Sequence, residues 1–206
     1  TNLTADNTGV GSAGTYAGTY TLRSLDQTSI TISSSVGGTL ANADLALGTY
    51  ASNIAQFSTK NRGASTSAPT ALNAGDLVIN GYSIGAAQTS YDTASDATAT
   101  SSTKAASGIA MAAAINAKTS STGVTATVNS NVVVGTGFVA GSVSSIYLNG
   151  KTIAASLSSS SSINDVVTLF NTYTGQTGVT ASNNGSGVTL TASDGRNISI
   201  GTNTGT

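Results

Sequence analysis

The chain has 206 residues, of which 7% are charged, with seven Lys plus Arg against eight acids and a net charge of −1. Ordinary globular domains carry roughly 25% charged residues, so the solvated surface here has to be made of Ser, Thr and Asn. Neither Cys nor His occurs, which excludes disulfides and Cys/His metal sites. The small net charge excludes the clustered basic field that nucleic acid requires.

Taken in chain order, residues 1–36 predict strands joined by Gly-rich turns, as at Gly11-Ser-Ala-Gly14. Residues 37–68 are less regular, with an apolar stretch Leu40–Leu47 and the aromatics Tyr50 and Phe57. The run Asn61–Pro69 holds the chain's one proline and is the best boundary candidate. Three segments follow: 1–68, a β-rich N-terminal part; 69–140, a first unit; and 141–206, a second unit.

The first unit opens with Gly75-Asp-Leu-Val-Ile-Asn-Gly-Tyr-Ser-Ile84. Asn-Gly between two apolar runs is the strongest short hairpin signal, because both residues accept positive φ. The Ala-rich segment Lys104–Lys118 predicts a helix, and Thr122-Gly-Val-Thr-Ala-Thr-Val128 an alternating strand.

The second unit repeats this order. Ile146–Ile153 matches Leu77–Ile84 at an offset of 69, and Thr177–Ala181 matches Thr122–Ala126 at an offset of 55. The difference of 14 residues is an insertion within Ala86–Thr103 of the first unit. Such an insertion is expected on a surface loop, dispensable for the fold. Ile163, Val166, Val167 and Phe170 form one helical face, and Ser162 with Asp165 resembles a capping box. The offset of 55 places Phe170 over Ile115, Val166 over Met111 and Asn171 over Asn116. The expected fold class is α+β and β-rich: two hairpin–helix–strand units with short helices packed on antiparallel sheets.

A third fragment matches at an offset of 168: Leu190, Asp194, Ile198 and Ile200 align with Leu22, Asp26, Ile30 and Ile32. Residues 15–36 therefore read as the closing hairpin of a preceding unit whose beginning is absent, as in a piece of a longer array.

Motifs with chemical promise fail on context. Gly135-Thr-Gly-Phe-Val-Ala140 resembles a dinucleotide fingerprint, but a strand pattern follows where a helix is needed. Gly150-Lys-Thr152 mimics the end of a P-loop without its first glycine. Ser101-Ser-Thr-Lys104 is a formal S-x-x-K pairing in a low-complexity loop. Asp92 and Asp96 read as solvated loop acids, too few for a specific Ca²⁺ cage, and Asp76, Asp165 and Asp194 as turn and helix-start residues. No catalytic, cofactor-binding or metal-binding residue is expected, and no enzyme activity. No apolar run reaches the ~20 residues that span a bilayer. Asn2-Leu-Thr4, Asn184-Gly-Ser186 and Asn197-Ile-Ser199 are formal sequons.

Gly75-Asp-Leu-Val-Ile-Asn-Gly81, Ala114-Ile-Asn-Ala117 and Thr122-Gly-Val-Thr-Ala126 together resemble the flagellin hook IN motif. Asp194-Gly-Arg-Asn-Ile198 after Leu190 is also similar to a sequence common in flagellin middle regions. The resemblance implies a structural, extracellular component of the bacterial flagellar filament: the variable, surface-exposed outer region of flagellin. Its partners would be other flagellin subunits, joined through terminal helices that have no counterpart here, and neighbouring outer domains. No cofactor, nucleic acid or membrane partner is implied. The alternatives are the middle domain of a flagellar cap or hook-associated protein, or a binding module of a bacterial surface adhesin.

Overall fold

The computed structural model describes residues 13–35, 37–51, 56–59, 66–67 and 69–201. In chain order these form β1 (Gly14–Tyr16), β2 (Tyr20–Ser24), β3 (Ile30–Ser33), β4 (Gly48–Tyr50), β5 (Gln56–Ser58), β6 (Val78–Ile79) and β7 (Tyr82–Ser83). Helices α1 (Gly108–Asn116) and α2 (Thr119–Thr122) lead into β8 (Val124–Val128), β9 (Asn131–Val134), β10 (Val143–Leu148) and β11 (Lys151–Leu157). Helices α3 (Ile163–Thr172) and α4 (Thr174–Thr177) lead into β12 (Thr180–Asn183), β13 (Val188–Ala192) and β14 (Ile198–Gly201). The chain is α+β and β-rich, with short helices on antiparallel sheets.

Four sheets divide into two pairs. The orders β4-β3-β6-β7 and β5-β2-β8 make one pair; β1-β14-β10-β11 and β9-β13-β12 make the other. Each pair encloses its own apolar core. Tyr20, Leu22, Ile32, Leu77, Ile79, Met111 and Ile115 lie in the first, and Ile146, Leu148, Val166, Phe170, Val188 and Leu190 in the second. Helix α1 packs on β8 and β2, while α3 packs on β12, β11 and β13.

The two units share their register residue for residue. Leu22 of β2 pairs with Ala126 of β8, as Leu190 of β13 pairs with Ala181 of β12. Ile32 of β3 pairs with Ile79 of β6, as Ile200 of β14 pairs with Leu148 of β10. At the outer edge, Gly48-Thr49-Tyr50 lies against β3 as Gly14-Thr15-Tyr16 lies against β14. Both hairpin turns have positive φ at both central residues, 49° and 84° for Asn80-Gly81 and 43° and 79° for Asn149-Gly150. That is the I′ geometry whose twist suits antiparallel strands, and Asn and Gly adopt it at little cost.

This pairing corrects the expected division at residues 68 and 140. The fragment around Leu22–Ile32 does correspond to Leu190–Ile200, but it closes the first unit, not a preceding one. Its strands β2 and β3 supply that unit's last two strands ahead of its first hairpin, so the order is circularly permuted relative to the second unit. Strand β1 belongs to the second unit, as the partner of β14. The first unit, residues 19–128, is thus inserted between two strands of the second, β1 and β9. The chain leaves the second unit at residues 17–19 and returns at 129–130. Gly14 pairs with Ile200, so the ends of the described chain lie side by side. Of the boundary candidate Asn61–Pro69, residues 61–65 and 68 lie outside the described residues.

Local starts and stops also shift slightly from expectation. The Ala-rich helix begins at Gly108, after a single 3-10 turn Lys104–Ala106, because Ser107 accepts a hydrogen bond from the Ala110 N–H (3.1 Å) and caps it. At the other end Thr122 belongs to α2, and Gly123 at φ 66° stops that helix. Ser162 and Asp165 form a reciprocal capping box at α3: the Ser162 N–H donates to Asp165 Oδ2 (2.7 Å), and the Asp165 N–H donates to Ser162 Oγ (3.3 Å).

Candidate functional site

The most chemically ordered part of the molecule is a polar seam between the two units. It begins from a device that each unit repeats. Asn80 Oδ1 accepts from the Thr31 N–H (2.8 Å) and its Nδ2 donates to the Thr122 carbonyl (2.9 Å). Asn149 does the same with Ser199 N–H (2.8 Å) and the Thr177 carbonyl (3.0 Å). Asn116 clamps Ala126 through both backbone groups (2.8 and 2.9 Å), as Asn171 clamps Ala181 (2.8 and 3.0 Å). A side-chain amide has both a donor and an acceptor, so Asn80 and Asn149 tie hairpin, strand and helix end together, while Asn116 and Asn171 tie helix to strand.

The inserted segment then crosses from the first unit onto the second. The expectation that Ala86–Thr103 is a dispensable surface loop is corrected by burial: within it Ala87, Asp92, Ser95, Ala99, Ser101 and Ser102 are buried, and residues 92–103 make the crossing. The Asn197 N–H donates to Ser95 Oγ (2.9 Å), and Asn197 Nδ2 reaches Ser102 Oγ (3.4 Å) and the Thr103 carbonyl (3.5 Å). Asn197 Oδ1 accepts from the Gly18 N–H (3.2 Å). Tyr147 donates its hydroxyl to Asp96 Oδ2 (2.8 Å), and Thr15 shares hydroxyl contacts with Ser101 and Ser199 (2.8 Å each). Burial raises the Tyr147 phenol, and the Asp96 carboxylate beside it adds to that.

Backbones meet directly at the crossing. A Cβ on Gly18 would overlap the Gly195 carbonyl oxygen, and one on Gly108 would stand 2.6 Å from the Gly18 carbonyl oxygen. On the far side Asn131 donates to the Tyr16 carbonyl (2.7 Å) and the Arg196 carbonyl (3.0 Å).

The remaining acids take structural places. Asp76 is buried, which raises its carboxyl, but hydrogen bonds from Thr39 N–H, Asn42, Asn73 N–H and the Asn73 side chain outweigh this and hold it below the usual range. Hydrogen bonds from the Thr28 and Ser24 side chains hold Asp26 at about 2. The backbone N–H of Ser162 lowers Asp165. Asp194 pairs with Arg196 (2.6 Å), and their hydrogen bonds and charge lower it against the effect of burial. Asp92 is not the solvated acid expected: Oδ1 accepts from the Ala94 and Ser95 N–H groups (2.8 and 2.9 Å) in a tight turn.

The sequence motifs fall into structural positions too. Gly135–Ala140 runs between β9 and β10, with a strand after it, and Gly150-Lys151 sits at the β10–β11 turn. Ser101 is buried against Thr15, so the formal S-x-x-K serine is spent on packing. Asn197 and Ser199 of the third sequon are buried, which closes it to any modifying enzyme in the folded chain. Asn2 lies outside the described residues. Among the described residues no three of His, Cys, Asp or Glu come together, and no helix is long and apolar enough to cross a membrane. This seam was illegible beforehand; its one sequence signal was Asp92 and Asp96, each followed within three residues by Ser or Thr.

No family model, no curated protein and no solved structure matches this chain.

Proposed function

We propose that this chain is the outer, surface-exposed region of a bacterial flagellin, a structural and catalytically inert part of an extracellular filament. The observation that carries the reading is the combination of Gly75–Gly81, Ala114–Ala117 and Thr122–Ala126, which resembles the flagellin hook IN motif; its Asn-Gly turn, its helix Asn and its Thr-Gly-Val-Thr-Ala strand recur in the second unit. Three structural features support it. The Asn residues of the motif tie each unit together, so the motif has a folding role suited to a projecting body. The surface is rich in hydroxyls and poor in charge. The paired strands β1 and β14 bring the described ends out together, the geometry of a body carried on two adjacent chains.

In such a parent, assembly would rest on helices outside this stretch, and this body would set filament diameter and antigenic surface. Deleting residues 14–201 from the parent gene tests the reading. Export and filament formation are expected to persist, with a thinner filament by electron microscopy and altered antibody recognition. A filament of unchanged diameter would exclude an outer domain. Loss of surface adhesion with no filament phenotype would instead favour the adhesin module.

A further inference from the structure

We infer that residues 92–103 form a latch that fixes the angle between the two units and that it opens as a local unit while both cores stay folded. Each unit has its own apolar core, and the covalent links are the two short passages at 17–19 and 129–130. These passages lie against one another: the Asn129 N–H donates to the Thr19 carbonyl (2.9 Å), and Asn129 Nδ2 to Thr19 Oγ1 (3.1 Å). Two adjacent strands at one place are a hinge. A third attachment is needed to hold an angle, and residues 92–103 supply it: Asn197 joins them to Gly18 beside the hinge, and Asp96 reaches on to Tyr147 and Gly150 of the β10–β11 hairpin.

The chemistry of that attachment differs from the cores. The latch grips the second unit through Ser95, Asp96, Ser101, Ser102 and the Thr103 carbonyl, on Thr15, Tyr147 and Asn197. Water can replace each of these bonds once the groups separate, whereas it cannot replace apolar burial; a polar inter-unit contact therefore opens more readily than a core. The latch is also ordered by its own turns. Asp92 binds two N–H groups ahead of it, Asp96 accepts from Thr98, and Ser102 Oγ donates to the Asp96 carbonyl (2.6 Å). It can thus leave and return without refolding. Asn197 is its keystone, joining Gly18, Ser95, Ser102 and Thr103 from one buried position.

Native-state amide hydrogen exchange on the full chain tests this, with Tyr147→Phe and Asn197→Ala as variants. Tyr147→Phe removes one hydroxyl at constant shape, so it keeps the test decisive even where Asn197→Ala does not fold. Exchange at the amide of Asn197 or its replacement, whose N–H bonds across to Ser95 Oγ, is expected to rise about five- to tenfold, the worth of one hydrogen bond, with β2, β8, β12 and β13 unchanged. An equal rise in those strands would make residues 92–103 part of the global fold. An unchanged rate at the Asn197 amide in Tyr147→Phe would remove the grip of the latch on the second unit. Either result overturns the proposal.

Discussion

The two units are the same construction solved twice, and they differ most on one face. In the second unit Thr15, Ser199 and Gly150 lie under the latch, with Thr15 and Ser199 buried. Their counterparts in the first unit, Thr49, Thr31 and Gly81, face open space or solvent. The hydrogen-bonding scheme is unchanged by this: Asn80 and Asn149 tie the same positions at distances within 0.1 Å of each other. The core side chains do change, with Ile115 and Met111 where Phe170 and Val166 stand. Register is therefore held by amides, and volume is free to vary around them. A core tolerates such exchange when total volume is kept, but an amide that binds a backbone N–H and a carbonyl at once has no apolar substitute.

The largest expected effect separates the cores. Phe170→Ala should cost ~3–5 kcal/mol and Ile115→Ala ~2–5 kcal/mol, through lost burial and the cavity left; both side chains are fully buried. Each change should lower protection mainly in its own unit, read by amide exchange at β12 and β13 or at β2 and β8. A loss shared equally by both units would break the picture of two separate cores.

Much of this was legible in the sequence and some was not, for physical reasons. The hairpins announced themselves because only a few residue pairs suit two consecutive positive φ values, so Asn-Gly is informative. The helix register followed from Phe170 and Asn171, since a 3.6-residue period constrains many positions at once. Strand β1 stayed hidden because Gly-Thr-Tyr is three residues long, and such a match to Gly48–Tyr50 means nothing until both are seen against equivalent strands. The permutation stayed hidden for a related reason: similarity tells which strand Leu22–Ile32 resembles, not which core it enters. The latch was misread because a hydroxyl-rich segment has the composition of a solvated loop. Its burial is satisfied by hydrogen bonds, which composition does not reveal.

Acid should sharpen the comparison next. Asp76 belongs to the first unit alone; Ser145 stands at the corresponding place in the second. Its folded pKa is lowered, so its stabilisation is present above the ordinary carboxylate range, about 4, and is lost as pH falls through the folded value. Asp165 and Asp194 act in the same direction in the second unit but are exposed. Protection at β2 and β8 should fail at a higher pH than at β12 and β13, and Asp76→Asn should reduce that gap. Replacement by Ala, which orphans several donors, should cost ~1–3 kcal/mol even at neutral pH. Simultaneous acid melting of both units would remove Asp76 as the cause.

The crossing offers a change that belongs to neither unit. Gly18→Ala places a methyl group into the Gly195 carbonyl, and backbone on both sides leaves it little room to yield. Overpacking of this kind costs ~1–3 kcal/mol. It should speed exchange at the Asn197 amide, which bonds to Ser95 Oγ, together with the crossing, and spare the centres of both cores. A variant with wild-type exchange throughout would show that Gly18 and the Gly195 carbonyl are farther apart than this contact requires.

The smallest effect is the most discriminating, because it applies one substitution to two equivalent positions. Ser107 and Ser162 both cap their helices, through the N–H groups of Ala110 and Asp165. Loss of a Ser cap costs ~0.5–2 kcal/mol, and where in that range it falls depends on what replaces the hydroxyl. Ser162 is exposed and shares its role with Asp165, so water can reach the freed N–H group. Ser107 is fully buried, and Ala110 beside it is buried too, because the start of α1 lies beneath the 3-10 turn and the crossing. No acid could complete a box there without burying its charge, which explains why one helix has the reciprocal cap and the other only half of it. Ser107→Ala should therefore fall near ~2 kcal/mol and Ser162→Ala near ~0.5 kcal/mol, measured as shifts in urea midpoint at unchanged slope. Equal costs would mean that solvent reaches both helix starts alike, and that burial does not decide how the two units divide the work of capping.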